Sequence, residues 1–242
     1  MPEQLSNKPD IQNLKMISRR TIIFSFGNGV INPFIHIYAA QLGASPTELG
    51  WVRAINLTLP NIAQIPWGLA MDRFKKRVFF IFFGGLLYGF LLLPLLFVEN
   101  VLSFIFFIAL SSLFAAMIAP ALNSLIGDLC REYNRGRIFA NFNAMVSIGS
   151  VPATLIAGYV LYVTSKYESV REIYRVPVIL GFIFILLSTF ISLKIKEKAS
   201  SEEIFTFKGW IDALKTNDYF RRLCILTSGQ GFFMAFAWPS SL

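Results

Sequence analysis

The chain is poor in the residues that most metal and redox sites need. Its 242 residues include two cysteines, Cys130 and Cys224, and one histidine, His36. Both cysteines fall near the side read below as cytoplasmic, so free thiols are expected and no disulfide. A lone histidine leaves no cluster for zinc. Acids are outnumbered, 14 against 22 bases, and no Asp or Glu lies deep in an apolar run; Glu48, Asp72, Glu99 and Asp128 all sit at ends. Paired catalytic acids, a nucleophile elbow and a phosphate-binding glycine loop are missing as well. These absences argue against an enzyme, and no cofactor or metal is expected. The formal charge of +8 does not indicate nucleic acid, because the bases lie between apolar runs rather than on one basic stripe.

Apolar residues make up 55% of the chain and 25 residues are Phe. A soluble core cannot hide that much apolar surface, so lipid is the expected solvent. A membrane helix needs about 20 residues. Six runs qualify: Thr21 to Leu42, Leu49 to Met71, Val78 to Val98, Val101 to Gly127, Ile138 to Thr164 and Val176 to Leu193, and a seventh starts near Leu223. Asn28, Asn32 and His36 interrupt the first run, which is therefore not a signal peptide. Eighteen of the 22 bases fall in the N-terminal tail, the loops after runs two and four, and the stretch Lys194 to Arg222. By the positive-inside rule the chain is a multi-pass protein of the cell membrane with a cytoplasmic N-terminus. The expected organisation is a tail at 1–20, a six-helix unit at 21–195, an interfacial linker at 196–220 and the start of helix 7 at 221–242. In the linker, Ser200 and Glu203 have capping-box spacing ahead of an amphipathic pattern, fitting a connector or a partner-binding helix.

Lipid offers polar side chains no partner, so polar stripes must face protein or water. Run one carries Ser25, Asn28, Asn32 and His36 on one face, run two Arg53, Asn56, Pro60 and Gln64, and run five Asn143, Ser147, Ser150 and Thr154. Runs three and six carry few hydrogen-bonding groups and should be largely lipid-facing. Asn28, Asn32, His36, Arg53, Asn56, Gln64, Asn143 and Ser147 are the candidate cavity residues. For the asparagines, helix–helix hydrogen bonding is an equal alternative. His36 is open to proton carriage, solute hydrogen bonding or a structural role. Arg53 is open to snorkelling or to attraction of an anion. Gly149, Ala153 and Ala157 form a small-residue ridge suited to close packing.

Arg19-Arg20 with Gly27-Asn28-Gly29 recurs as Arg221-Arg222 with Gly229-Gln230-Gly231, at an offset of 202 residues. This suggests a protein of two six-helix halves. Between runs two and three stand Gly68, Asp72, Arg73, Lys76 and Arg77; after run four come Gly127, Asp128, Glu132 and Arg135-Gly136-Arg137. With this frame the chain resembles the major facilitator superfamily of secondary transporters, whose signature differs here only in having Gly where Lys75 stands. The resemblance implies an all-α, polytopic six-helix (3+3) bundle plus a partial seventh helix, transporting small solutes by alternating access. It implies that Gly68 admits a helix of the second half. It also implies that Asp72, with Arg73, Lys76, Arg77, Asp128, Arg135, Gly136 and Arg137, forms a gate latch. Proton or other ion coupling stays open, since run four lacks the embedded arginine of many proton-coupled members. The expected partners are the lipid bilayer, a small-molecule substrate, and a C-terminal half or second copy, the chain being read as an incomplete transporter. The alternative is a non-transporting membrane remnant or interaction subunit.

Overall fold

The computed structural model describes residues 8–129, 135–164 and 170–197, with residues 218, 222 and 226 besides. The chain divides into two units, Met1–Ser200 and Ser201–Leu242. Cys130, Cys224 and most of the expected linker and seventh helix lie outside the described residues; Asp218, Arg222 and Leu226 are helical. In the first unit every described element is a helix: α1 (Lys8–Ile31), α2 (Ile35–Gln41), α3 (Pro46–Phe74), α4 (Arg77–Leu92), α5 (Val101–Ala115), α6 (Ile118–Leu129), α7 (Arg135–Thr164) and α8 (Val170–Ser192).

Two of the expected spans are interrupted, and proline accounts for both. A proline inside a helix has no N–H for the carbonyl four residues back and its ring presses on that carbonyl. Pro33 lies in a 3-10 turn, Asn32–Phe34, between α1 and α2. Pro120 falls in the first turn of α6, and the fourth span breaks four residues before it, at Ala116. Pro33 leaves the Gly29 carbonyl without its helical donor. Thr154 of α7 donates its hydroxyl to that oxygen at 2.9 Å. At the other end α1 starts at Lys8 rather than Thr21, because Asn13, Ile17 and Arg20 recur at helical spacing on a buried face while Lys15 and Arg19 stay exposed.

Among the described residues, five stretches are long and apolar enough to cross a membrane: Gln12–Gln41, Arg77–Leu96, Val101–Asp128, Gly136–Thr164 and Ile173–Ser192. The remaining expected span, the second, is α3, which has the length, with 29 residues rising about 1.5 Å each. Arg53, Asn56, Asn61 and Gln64 make it too polar to count by hydropathy alone. A polar span of full length belongs where it can face protein or water.

α1 is the hub, packed between α7 and α8. Gly29 and Gly149 allow this: a Cβ at Gly29 would stand 2.6 Å from the Ser150 carbonyl oxygen, and one at Gly149 would stand 2.4 Å from that of Ile22. α4 lies against α5, α6 and α8, with Gly85 pressed on Thr189. The expectation of two lipid-facing helices therefore holds for only one face of each. Phe79, Phe83 and Phe90 of α4, and Ile179, Ile183, Leu187 and Phe190 of α8, are exposed. Their inward faces mix apolar with polar side chains: Phe80, Ile81 and Ile185 are buried, and so are Tyr88, Ser188, Thr189 and Ser192. The last three donate their hydroxyls to carbonyls of their own helix, so they enter the core at little cost.

Candidate functional site

At one end of the unit, the end holding the α3–α4 loop, charged groups tie four elements together. Lys75 closes α3 in the left-handed conformation, φ 52° and ψ 29°, and its N–H bonds the Met71 carbonyl. This is the position where the resembling signature carries Gly, the residue that adopts such a φ without steric cost. Two residues later Arg77, largely buried, pairs its guanidinium with Asp128 at the end of α6. The Glu197 carboxylate, just beyond α8, accepts the Arg77 backbone N–H at 2.5 Å and that of Val78 at 3.4 Å. An anion on these free amides at the start of α4 is favourably placed against the helix dipole. Asn13 and Lys196 exchange side-chain and backbone bonds of 2.9 and 3.1 Å, fixing α1 to the same corner. Asp72 is half-buried and engaged in a polar contact. Arg73, Lys76, Gly136 and Arg137 are exposed; the Arg135 side chain lies outside what is described. Gly68 meets nothing within 4 Å where a Cβ would stand.

The candidate cavity residues separate into two groups. Asn28 accepts the Tyr88 hydroxyl at 2.7 Å, and Asn56 accepts the Ser112 hydroxyl at 3.3 Å. Both join helices within the unit. Gln64 is half-buried, while Asn32, Asn143 and Ser147 are exposed, Ser147 bonding only the Asn143 carbonyl of its own helix at 3.3 Å. His36 and Arg53 lie near the opposite end on the packed pair α2 and α3, both half-buried and close enough for the Arg53 charge to act on His36. Glu48, at the entrance of α3, is committed locally. The Ser45 amide and hydroxyl bond its carboxylate at 2.8 Å each and hold it below the usual carboxylate range.

Four residues of consequence were passed over in the sequence. Asn61 lies on the same edge of α3 as Arg53 and Gln64, exposed, with its amide bonding the Leu57 carbonyl at 2.8 Å; its eight-residue offset from Arg53 was the signal. Tyr88 and Glu197 act through partners 60 and 120 residues away, which no local pattern announces. Arg20 is 1% exposed, and its guanidinium stands 4.3 Å over the Phe24 ring. The Arg19-Arg20 pair reads as a topological charge, yet helical phase buries its second member.

α3 and α7 leave wide surfaces uncovered. On α3 one edge carries Arg53, Leu57, Asn61, Gln64 and Gly68, and the adjoining edge carries exposed Trp51, Ile62, Ile65 and Leu69. On α7, Val151, Leu155 and Tyr159 are exposed alongside Asn143 and Ser147. A bundle that leaves such mixed surfaces open on two full-length spans is built like a multi-pass transport protein. The family model described as Major Facilitator Superfamily matches residues 21–242, and the chain belongs to that family of transporters. It is 31% identical over 147 residues to an uncharacterised MFS-type transporter of Methanocaldococcus jannaschii, spanning 61% of this chain and 38% of that protein. The fold is similar to the crystal structure of a mutant peptide transporter of the POT type in complex with sulfate. There the TM-score is 0.63 at 17% identity, over 95% of this chain and 46% of the other. The chain thus spans less than half the length of either relative.

Proposed function

We propose that the unit 21–195 is one half of a secondary transporter for small solutes, lining one wall of a path opened alternately to each side of the membrane. The observation that carries this reading is the uncovered polar edge of α3, with Asn61 exposed at mid-helix and Gln64 half-buried, opposite no other wall within the unit. Exposed amides at that depth are unfavourable against lipid, so a second wall belongs there. It is supplied by a C-terminal half or by a second copy, through the linker at 196–220 where the halves share one chain. The 202-residue repeat supports the first source. The concentration of bases on the α3–α4 end supports placing that end in the cytoplasm and the protein in the cell membrane. Asp72, Arg77 and Asp128, with their exposed basic neighbours, then form the side of the gate that meets the other half. An arrangement in which charges pair in one state and part in another gives the two-state element that alternation requires.

Cysteine placed at Asn61 and at Ser147, with Cys130 and Cys224 replaced by serine, tests this. A membrane-impermeant maleimide is expected to label both positions, from opposite sides of the membrane in opposing states, with Asp72→Asn shifting the ratio. Labelling from neither side would put both edges in lipid and sink the reading.

A further inference from the structure

The pair at the end of the unit opposite the basic loops has an electrostatic peculiarity. Arg53 lies seven residues into α3, about 10 Å along its axis at roughly 1.5 Å per residue. It is half-buried, and among the described residues it has no ion-pair or hydrogen-bond partner. The nearest acid in sequence, Glu48, has its carboxylate taken up by Ser45. Glu99, in the α4–α5 loop, has its own polar contact, and no Asp or Glu lies within α3 between Glu48 and Asp72. Within reach of the Arg53 charge is His36, a second basic group, on α2, which packs against α3. A half-buried cation at membrane depth is costly without a counter-charge, and a basic neighbour raises that cost. Snorkelling answers for the arginine alone and leaves the histidine on α2 unexplained. On the same edge of α3, toward mid-membrane, Asn61 and Gln64 offer neutral donors. The edge therefore presents a graded set of donors with no anion of its own.

We propose that Arg53, with His36 on α2, binds the carboxylate or phosphate group of a small anionic solute, whose neutral part lies along Asn61 and Gln64. The guanidinium fork suits two oxygens of such a group, and the imidazole adds a donor. This rests on the transporter reading above and narrows it to a substrate class: organic anions and phosphate-bearing solutes, as against sugars and cations. The same chemistry would be met by a lipid headgroup phosphate, so the test separates the two sources.

The chain is placed in nanodiscs of zwitterionic lipid at constant ionic strength. Inorganic phosphate, succinate and glucose are titrated in turn while thermal stability and tryptophan emission are followed, Trp51 being exposed two residues from Arg53. Phosphate or succinate is expected to bind saturably and glucose not. Arg53→Gln should weaken that binding at least ten-fold, Arg53→Lys should retain part of it, and His36→Gln should weaken it several-fold. Arg53→Lys also keeps the test open if Arg53→Gln does not fold. Binding of glucose in preference to either anion, or anion binding indifferent to Arg53→Gln, would overturn the substrate class while leaving a transporter. Stabilisation by anionic lipid in the disc, with none by soluble phosphate or succinate, would assign the arginine to a headgroup and overturn the solute. Absence of binding by all three probes, together with maleimide labelling of Asn61→Cys from neither side, would remove both the class and the transport reading; absence of binding with normal labelling would remove the class alone.

Discussion

Thr154 offers the cleanest test of how this bundle is held together. Pro33 has no N–H for the Gly29 carbonyl, and the Thr154 hydroxyl of α7 takes up that oxygen at 2.9 Å while also donating to its own Ser150 carbonyl at 3.0 Å. Thr154→Val keeps the shape and removes the donor. Hydrogen bonds between membrane helices contribute about 0.6 kcal/mol on average and up to about 1.7. This one serves a carbonyl with no other donor in a dry α1–α7 contact, so a loss of about 1–1.5 kcal/mol is expected. Pro33→Ala alone restores the helical N–H, and in that background the Gly29 oxygen no longer depends on Thr154. The cost of Thr154→Val should then fall to a few tenths of a kcal/mol, a coupling of about 1 kcal/mol between residues on different helices. Equilibrium unfolding by steric trapping in bicelles measures all four corners of the cycle. An equal cost of Thr154→Val with and without Pro33 would falsify the account, because the shared carbonyl would then not be what links them.

Glycine substitutions should divide by location. Gly149→Ala drives a Cβ to 2.4 Å from the Ile22 carbonyl oxygen and should cost about 1–3 kcal/mol by overpacking, whereas Gly68→Ala meets open space and should leave this unit's melting unchanged or slightly raised. Loss of transport with Gly68→Ala at unchanged stability would locate a contact outside the unit; an equal drop in melting for both glycines would contradict the packing. Lys75→Gly relieves a left-handed non-glycine residue and should stabilise by up to about 1 kcal/mol, which a thermal melt reads directly; a lower melting temperature would show that the Lys75 side chain matters more than its backbone. Asp128→Asn leaves the largely buried Arg77 guanidinium without its carboxylate and should cost roughly 1–3 kcal/mol, with Arg77→Met in the same background recovering part of it. No recovery would mean that Arg77 serves another partner.

The six-helix plan was legible because length and hydropathy act locally: each run from Val78 onward matches a described span to within a few residues, apart from the break at Ala116. The breaks at Pro33 and Pro120 were not legible from proline alone, since Pro60, Pro66, Pro152 and Pro177 lie inside helices that continue past them. Tertiary choice was harder to read. Asn28 and Asn32 carry the same side chain one turn apart, yet the first is taken by Tyr88 and the second is exposed. Which amide finds a donor depends on a helix 60 residues away. Arg20 shows the same limit, since its burial follows from the phase of a helix that begins thirteen residues before the apolar run does. The resemblance singled out Arg77 and Asp128, which do meet, and marked Lys75 as the departure, where the backbone adopts the conformation glycine favours.

The two ends of the unit are held by different chemistry. At the α3–α4 end the ties are polar: Arg77 on Asp128, Glu197 on the first amides of α4, Asn13 on Lys196. At the opposite end Tyr38 stacks on Tyr174 at 4.4 Å, meets Phe104 edge-on at 5.2 Å and donates its hydroxyl to the Leu95 carbonyl. Between them α1, α7 and α8 approach closely enough that Gly29, Gly149 and Gly181 have no room for a methyl group. Contacts of that kind do not slide by fractions of an ångström; they hold or they break. A body so fixed moves as a whole, and on the proposed reading the surfaces left open on α3 and α7 are where it meets the second wall. Polar ties can re-pair with water or with another chain as the unit tilts, whereas an aromatic cluster keeps its shape. If the unit rocks as proposed above, the α3–α4 end is the one that switches partners and the Tyr38 end stays intact, so a crosslink between α2 and α8 near Tyr38 should leave alternation unimpaired. One joining the α3–α4 loop to the second wall should arrest it.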